Sequence, residues 1–216
     1  KGEPRDLLLS LDNISLSPLH LLNDKIPPGG VVDGNISYSK HKRSEINIDL
    51  DIHDLVINTM NFPLVELESS VRNDSVLINN LRFFVEENSS LEINGNLLCN
   101  FPFRDNKRFL NPDSRLDLDF NFYNFPAEYI NNYIVKKHEL RGELTGNLTC
   151  HNSFQDPYFN TIFKIENPGF NRIKGKYLRA RGFYKNDSLV FEELDLDQGG
   201  GQYSGQGLIP LEMDLY

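Results

Sequence analysis

One pattern constrains this chain more than any other: apolar and polar residues alternate with a period of two over long stretches. Ile46, Ile48, Leu50 and Ile52 alternate with Asn47, Asp49 and Asp51. Leu116, Leu118, Phe120 and Phe122 alternate with Asp117, Asp119 and Asn121. Leu91 and Ile93 flank Glu92, the pattern runs through Gly95 to Leu97, and Leu194 and Leu196 alternate with Asp195 and Asp197. Successive side chains of a strand point to opposite faces, so each run has one apolar face and one acidic or amide face. That is the pattern of antiparallel strands with one face wet, and it predicts an all-β fold. Backbone preference agrees. The chain holds 25 Asn but only two Ala, Ala127 and Ala180, and Asn is a poor helix residue where Ala is the best. The 15 Phe and 9 Tyr suit strands.

Turn residues divide the runs. Asn73-Asp74-Ser75 and Asn186-Asp187-Ser188 sit between apolar segments as hairpin turns do, and Pro27-Pro28-Gly29-Gly30 and Gly199-Gly200-Gly201 are stronger breakers. Strands are predicted near 5–13, 31–39, 45–58, 64–72, 75–86, 90–99, 114–124, 140–151, 158–166, 173–184, 188–197 and 202–211. Two short helices are predicted, near 18–24 and 126–135. Ser17 is an N-cap ahead of Pro18, and Pro126 opens a stretch with Tyr129, Ile130, Tyr133 and Ile134 at helical spacing.

The order of these segments repeats. Gly34-Asn35-Ile36-Ser37 matches Gly146-Asn147-Leu148-Thr149 at an offset of 112 (146 − 34). Asn73-Asp74-Ser75 matches Asn186-Asp187-Ser188 at 113 (186 − 73), Leu81 matches Leu194 at 113, and Gly95 matches Gly207 at 112. Pro18 matches Pro126 at 108, as a loop of variable length allows. The expectation is two units of about 110 residues, 1–113 and 114–216, forming one continuous sheet.

Net charge is −9, which argues against a nucleic-acid binder with its basic footprint. A chain of 216 residues can bury a core without disulfide staples. No run approaches the roughly 18 apolar residues of a membrane-spanning helix, and the chain begins at Lys1, so a piece of a longer protein is expected, with any targeting segment or anchor outside it. Six Asn-x-Ser/Thr sequons occur, as chance supplies in an Asn-rich chain.

Catalysis is not expected. The histidines His20, His41, His53, His138 and His151 are scattered and fit no metal spacing. Cys150 and His151 are strand neighbours, so they point to opposite faces and cannot act as nucleophile and base. No nucleophile elbow, phosphate loop or dinucleotide fingerprint is present. The pairs Asp49/Asp51, Asp117/Asp119 and Asp195/Asp197 read as a solvated face that resists edge-to-edge aggregation, because no calcium-type loop accompanies them. Cys99 and Cys150 each follow a glycine by four residues, and a disulfide between them requires Cα atoms within about 7 Å. No cofactor is implied.

The apolar faces need a cover. About a dozen amphipathic strands with two short helices can form a sandwich, close into a barrel, or curl into an open trough. Pattern alone favours a sandwich with a structural or adhesive role. An open trough would leave an apolar patch of the kind that marks a binding site.

The order of the motifs bears on this choice. It runs Leu140-Arg141-Gly142-Glu143-Leu144-Thr145-Gly146-Asn147-Leu148, then Asp156-Pro157-Tyr158-Phe159, then Ala180-Arg181-Gly182-Phe183-Tyr184 into Asn186-Asp187-Ser188-Leu189, and closes with Gly199 to Leu208. This order resembles the TamB family and the wider AsmA-like group of bacterial envelope proteins. The first half follows it more loosely: Gly29-Gly30 to Gly34 keeps the glycines, but no Asp-Pro follows.

The resemblance implies an elongated, curved, U-shaped antiparallel β-sheet, the β-taco of bridge-like lipid-transfer proteins. It implies an inner-membrane anchor outside this chain and a path through the periplasm. It implies phospholipid transport toward the outer membrane, with an Omp85-type barrel protein as partner and a link to autotransporter assembly. The groove is then expected to be lined by Ile46, Ile48, Leu50, Ile52, Leu91, Ile93, Leu97, Leu116, Leu118, Phe120, Phe122, Leu194 and Leu196.

Overall fold

The computed structural model describes residues 6–18, 29–40, 44–57, 60–72, 75–98, 114–130, 140–170 and 173–210. It is nearly all strand, as the two-residue alternation requires. The chain divides into two compact units, Lys1–Glu87 with Glu92–Arg115, and Asn88–Leu91 with Leu116–Tyr216.

The first unit carries β1 (Leu7–Ser15), β2 (Val31–Lys40), β3 (Ser44–Ile57), β4 (Met60–Arg72), β5 (Ser75–Glu86) and most of β6 (Ser89–Leu98). Strands β1 to β5 pair antiparallel, each with the next in the chain. The second unit carries β7 (Arg115–Pro126), β8 (Leu140–Ser153), β9 (Pro157–Phe170), β10 (Ile173–Lys174), β11 (Tyr177–Tyr184), β12 (Ser188–Asp197) and β13 (Gln202–Pro210). Here β8, β9, β11, β12 and β13 form the antiparallel ladder, and the short β10 pairs with β9.

The turns follow from residue chemistry. Asn186 and Asp187 both adopt positive φ, 50° and 52°, and Lys185 and Ser188 exchange both backbone hydrogen bonds across them. A two-residue loop with both φ positive matches the right-handed twist of its strands, and Asn and Asp tolerate it better than other side chains. The matching Asn73-Asp74 lies outside the described residues, but its flanks Arg72 and Ser75 pair directly.

Residues paired across an antiparallel ladder share a face, so the register sorts the sheet into two surfaces. In the first unit Val32, Ile52, Val65 and Phe83 form one row, and Gly34, Leu50, Leu67 and Leu81 the next. The opposite face carries Asp33, Asp51, Glu66 and Arg82, then Asn35, Asp49, Glu68 and Asn80. In the second unit one face carries Leu144, Ile165, Leu178, Leu196 and Tyr203, then Gly146, Phe163, Ala180, Leu194 and Gly205. The other carries Thr145, Lys164, Arg179, Asp195 and Ser204. Each unit is therefore an amphipathic sheet, and Val65 in the first and Ile165 and Ala180 in the second, all at 3% exposure or less, lie on the apolar face.

Strict alternation does not persist along whole strands, and the backbone compensates. The apolar series breaks phase between Leu11 and Ile14, where β1 bulges and Asn13 has φ 54°. It breaks between Phe122 and Phe125, where Asn124 has φ 45° and the two rings meet edge to face at 5.8 Å. It breaks between Ile78 and Leu81, and between Phe191 and Leu194, where Asn79 and Glu192 are the unpaired bulge residues. One extra residue returns the following apolar side chains to the same face. The freed amides are satisfied: the Asn13 N–H donates to Asp33 Oδ1 at 2.7 Å, and the Asn124 N–H donates to Thr145 Oγ1 at 3.2 Å.

Two expectations are corrected. The described part of the predicted 126–135 helix is a single 3₁₀ turn, Ala127–Ile130, with Ala127 buried and the Tyr129 ring edge to face with Phe125, and 131–135 lie outside the described residues. The predicted helix near 18–24 falls outside the described residues except for Pro18. The strand expected over 173–184 is interrupted at Gly175–Lys176, where the Gly175 N–H donates to the Pro168 carbonyl.

Candidate ligand-binding face

The candidate site is the apolar face itself. Ile46, Ile48, Leu50 and Ile52 are all half-buried on β3, opposite Tyr38, Ile36, Gly34 and Val32 on one side and Val71, Ser69, Leu67 and Val65 on the other. Their wet-face neighbours Asn47, Asp49 and Asp51 are exposed. An interior strand of a closed core would bury the apolar set fully; here it is held at the sides by its ladder neighbours and open above. Leu194 and Leu196 share the corresponding face of β12, Leu194 exposed and Leu196 half-buried. Leu91, Ile93 and Leu97 are half-buried on β6, and Leu118, Phe120 and Phe122 are half-buried on β7. Leu116 is the exception: it is buried to 4% exposure and serves as core rather than as open surface.

Within the second unit an open cavity of about 260 Å³ is lined by Leu148, Phe159, Thr161, Tyr184 and Leu189 of this face and by Phe183, whose ring stacks on Tyr158 of the opposite face. Its accessible wall is wholly apolar. The Thr161 hydroxyl donates to the Asn147 carbonyl at 3.0 Å and the Tyr184 hydroxyl to Asp187 Oδ1 at 3.1 Å, so both wall hydroxyls are engaged elsewhere. The Phe159 and Tyr184 rings meet at 5.7 Å between centroids. None of these six residues is in the groove expected from the sequence. Leu144 and Leu148 alternate across Gly146, and Phe159 and Phe163 across Thr161, so the signal was present but diluted by glycine and threonine.

Cys150 sits in the same row as Phe159 and Tyr184 and is buried, and burial pushes its thiol from 9.0 up to about 12. It is a protonated, apolar wall element rather than a nucleophile. His151 lies on the opposite face, its Nδ1 at 2.6 Å from Asp117 Oδ1, and stacks on Tyr158. Cys99 lies outside the described residues.

The polar face has its own shallow cavity of about 490 Å³ beside Thr145, Lys164, Tyr177, Arg179 and Asp195. Two of its cations are paired, Lys164 with Glu166 at 2.6 Å and Arg179 with Glu193 at 3.5 Å. Among the described residues no three His, Cys, Asp or Glu side chains converge as a metal site, and no helix is long and apolar enough to cross a membrane.

Comparison with protein-family models, curated proteins and solved structures gives no match.

Proposed function

We propose that this chain is a segment of a lipid conduit, holding phospholipid acyl chains on the apolar face of its sheet while head groups stay in water. The observation that carries the reading is the half-buried apolar face. Rows such as Val32–Ile52–Val65–Phe83 and Leu144–Ile165–Leu178–Leu196 run across whole ladders without a charged residue. Within each unit the substantial strand contacts run between ladder neighbours, which favours an open face over a sandwich with a second sheet. Each methylene taken from water contributes about 0.8 kcal/mol, so an alkyl chain lying across several strands gains much from such a surface. Movement would be passive sliding, with no covalent chemistry.

The reading includes a duplication. Matched positions carry matched irregularities: positive φ at Asn13 and Asn124 (124 − 13 = 111), at Gly30 and Gly142 (142 − 30 = 112) and at Asp54 and Asn167 (167 − 54 = 113). The bulge residues Asn79 and Glu192 also differ by 113 (192 − 79). The pairs Gly34–Leu50 and Gly146–Phe163 correspond, as do Ile57–Met60 and Phe170–Ile173. Two copies of one amphipathic unit suit a sheet that extends by repetition into a U-shaped β-taco. By resemblance to the TamB and AsmA-like proteins, the proposal extends to a periplasmic location, an inner-membrane anchor and an Omp85-type barrel partner.

Native mass spectrometry of the purified chain followed by lipid extraction tests the reading. The expected outcome is phospholipid at fixed stoichiometry, reduced about ten-fold in Phe120→Asp, because a charge on the apolar face cannot be desolvated beside an alkyl chain. Circular dichroism should show the strands intact. A lipid-free protein that also takes up none from added vesicles would overturn the proposal.

A further inference from the structure

The apolar face of the second unit is not uniform. The row Leu148–Thr161–Gly182–Phe191 loses a side chain at Gly182, beside the bulky row Cys150–Phe159–Tyr184–Leu189. At Gly182 the backbone of β12 closes in, since a Cβ there would lie 2.3 Å from the Val190 carbonyl oxygen. The cavity of about 260 Å³ lies along these two rows.

We propose that this cavity is a discrete seat for the methyl end of one acyl chain, so that lipid dwells at a fixed point on the face instead of gliding evenly along it. This deepens the lipid reading above and rests on it. The choice of occupant follows from the walls. Every accessible wall atom is apolar, and both wall hydroxyls already donate, to the Asn147 carbonyl and to Asp187. A head group, a sugar or a peptide backbone lying here would find no hydrogen-bond partner on the accessible wall. An alkyl terminus carries no such group. The rings of Phe159 and Tyr184 give the seat a firm side that flexible aliphatic side chains would not.

The test uses the whole chain and a palmitic-acid analogue carrying a diazirine at its methyl end. After irradiation, cross-links should concentrate on peptides holding Leu148, Phe159, Tyr184 and Leu189. Leu189→Trp should fill the seat and lower those cross-links about ten-fold relative to cross-links elsewhere on the chain, with the strands intact by circular dichroism. Leu148→Phe is the second filling variant, decisive if Leu189→Trp does not fold. Cross-links spread evenly over both units, or undiminished in the folded filling variant, would overturn the seat and leave the conduit reading standing. No cross-link and no lipid uptake by the unaltered chain would overturn both.

Discussion

At position 146 there is no room for a side chain. A Cβ there would stand 2.3 Å from the Ile162 carbonyl oxygen and 2.6 Å from the Phe163 Cα, both backbone atoms that cannot give way without breaking the β8–β9 ladder. Gly146→Ala should therefore destabilise the protein by about 1–3 kcal/mol, the usual cost of forced overpacking. Gly205→Ala, in the same row but with nothing within 4 Å, should stay within about 0.5 kcal/mol. Urea unfolding of the two variants measures the difference, and equal values would refute the close approach at β8. A second residue-scale outcome concerns Cys150. Its folded pKa, pushed up to about 12, lies above the ordinary 9.0, so in that window the folded state binds the proton more tightly than the unfolded chain. Stability is fully retained below about pH 9 and declines as pH rises toward 12. Cys150→Ala should flatten that decline relative to the unaltered chain, whose other titrating groups are shared by both. A slope unchanged by the substitution would show that burial of the thiol does not couple to folding.

The elements show why alternation alone was a partial guide. Strand existence was legible because it needs only local period: the expected 75–86 and 188–197 coincide with β5 and β12. The four β3 residues of the expected face were also legible, since Ile46 to Ile52 contain no break. What local period could not supply was phase across a break. Leu81 stands three residues beyond Ile78, and Leu194 three beyond Phe191, so a strict two-residue reading sends one partner of each pair to the wet face. The bulges at Asn79 and Glu192 restore them. The clue in the sequence was a pair of polar residues, Asn79-Asn80 and Glu192-Glu193, where one was due. The cavity in the second unit was illegible for another reason. Its walls come from β8, β9, β11 and β12 together, and the pairing of those strands is not a local property. Deleting Glu192 tests the bulge. Removing it forces either Leu194 and Leu196 or Leu189 and Phe191 toward the polar face, at a cost of roughly 2–3 kcal/mol. Glu192→Ala, which keeps the count, should change stability by less than about 0.5 kcal/mol. Thermal melts separate the two, and a deletion as stable as the point variant would mean that register can slip freely here.

At the scale of the molecule, each unit's ladder ends on an outer strand, and among the described residues β1 of the first unit and β13 of the second each have a ladder partner on one side only. β1 bulges between Leu11 and Ile14 and β13 ends at Pro210, but both strands keep exposed apolar stretches. Leu7, Leu8 and Leu9 are all more than half exposed on β1, and every residue of β13 is exposed, with Leu208 at 60%. Long, flat, apolar edge strands are templates for pairing with another chain, and natural sheets usually interrupt them with charge, proline or a cover. The chain should therefore associate as its concentration rises. Two surfaces could drive that association, the edges and the apolar face, and they can be told apart. Leu8 pairs with Ser37 and so stands on the polar face of β1, away from the residues assigned to lipid. Leu8→Lys places a charge on the edge while leaving the apolar face intact. If edges drive association, sedimentation velocity should show Leu8→Lys shifted toward monomer, with lipid uptake unchanged. If the apolar faces drive it instead, Leu8→Lys should associate like the unaltered chain, and phospholipid micelles should disperse both by occupying the face. The first outcome would assign the edges to pairing and the apolar face to lipid; the second would make lipid and a further copy of the chain competitors for one surface.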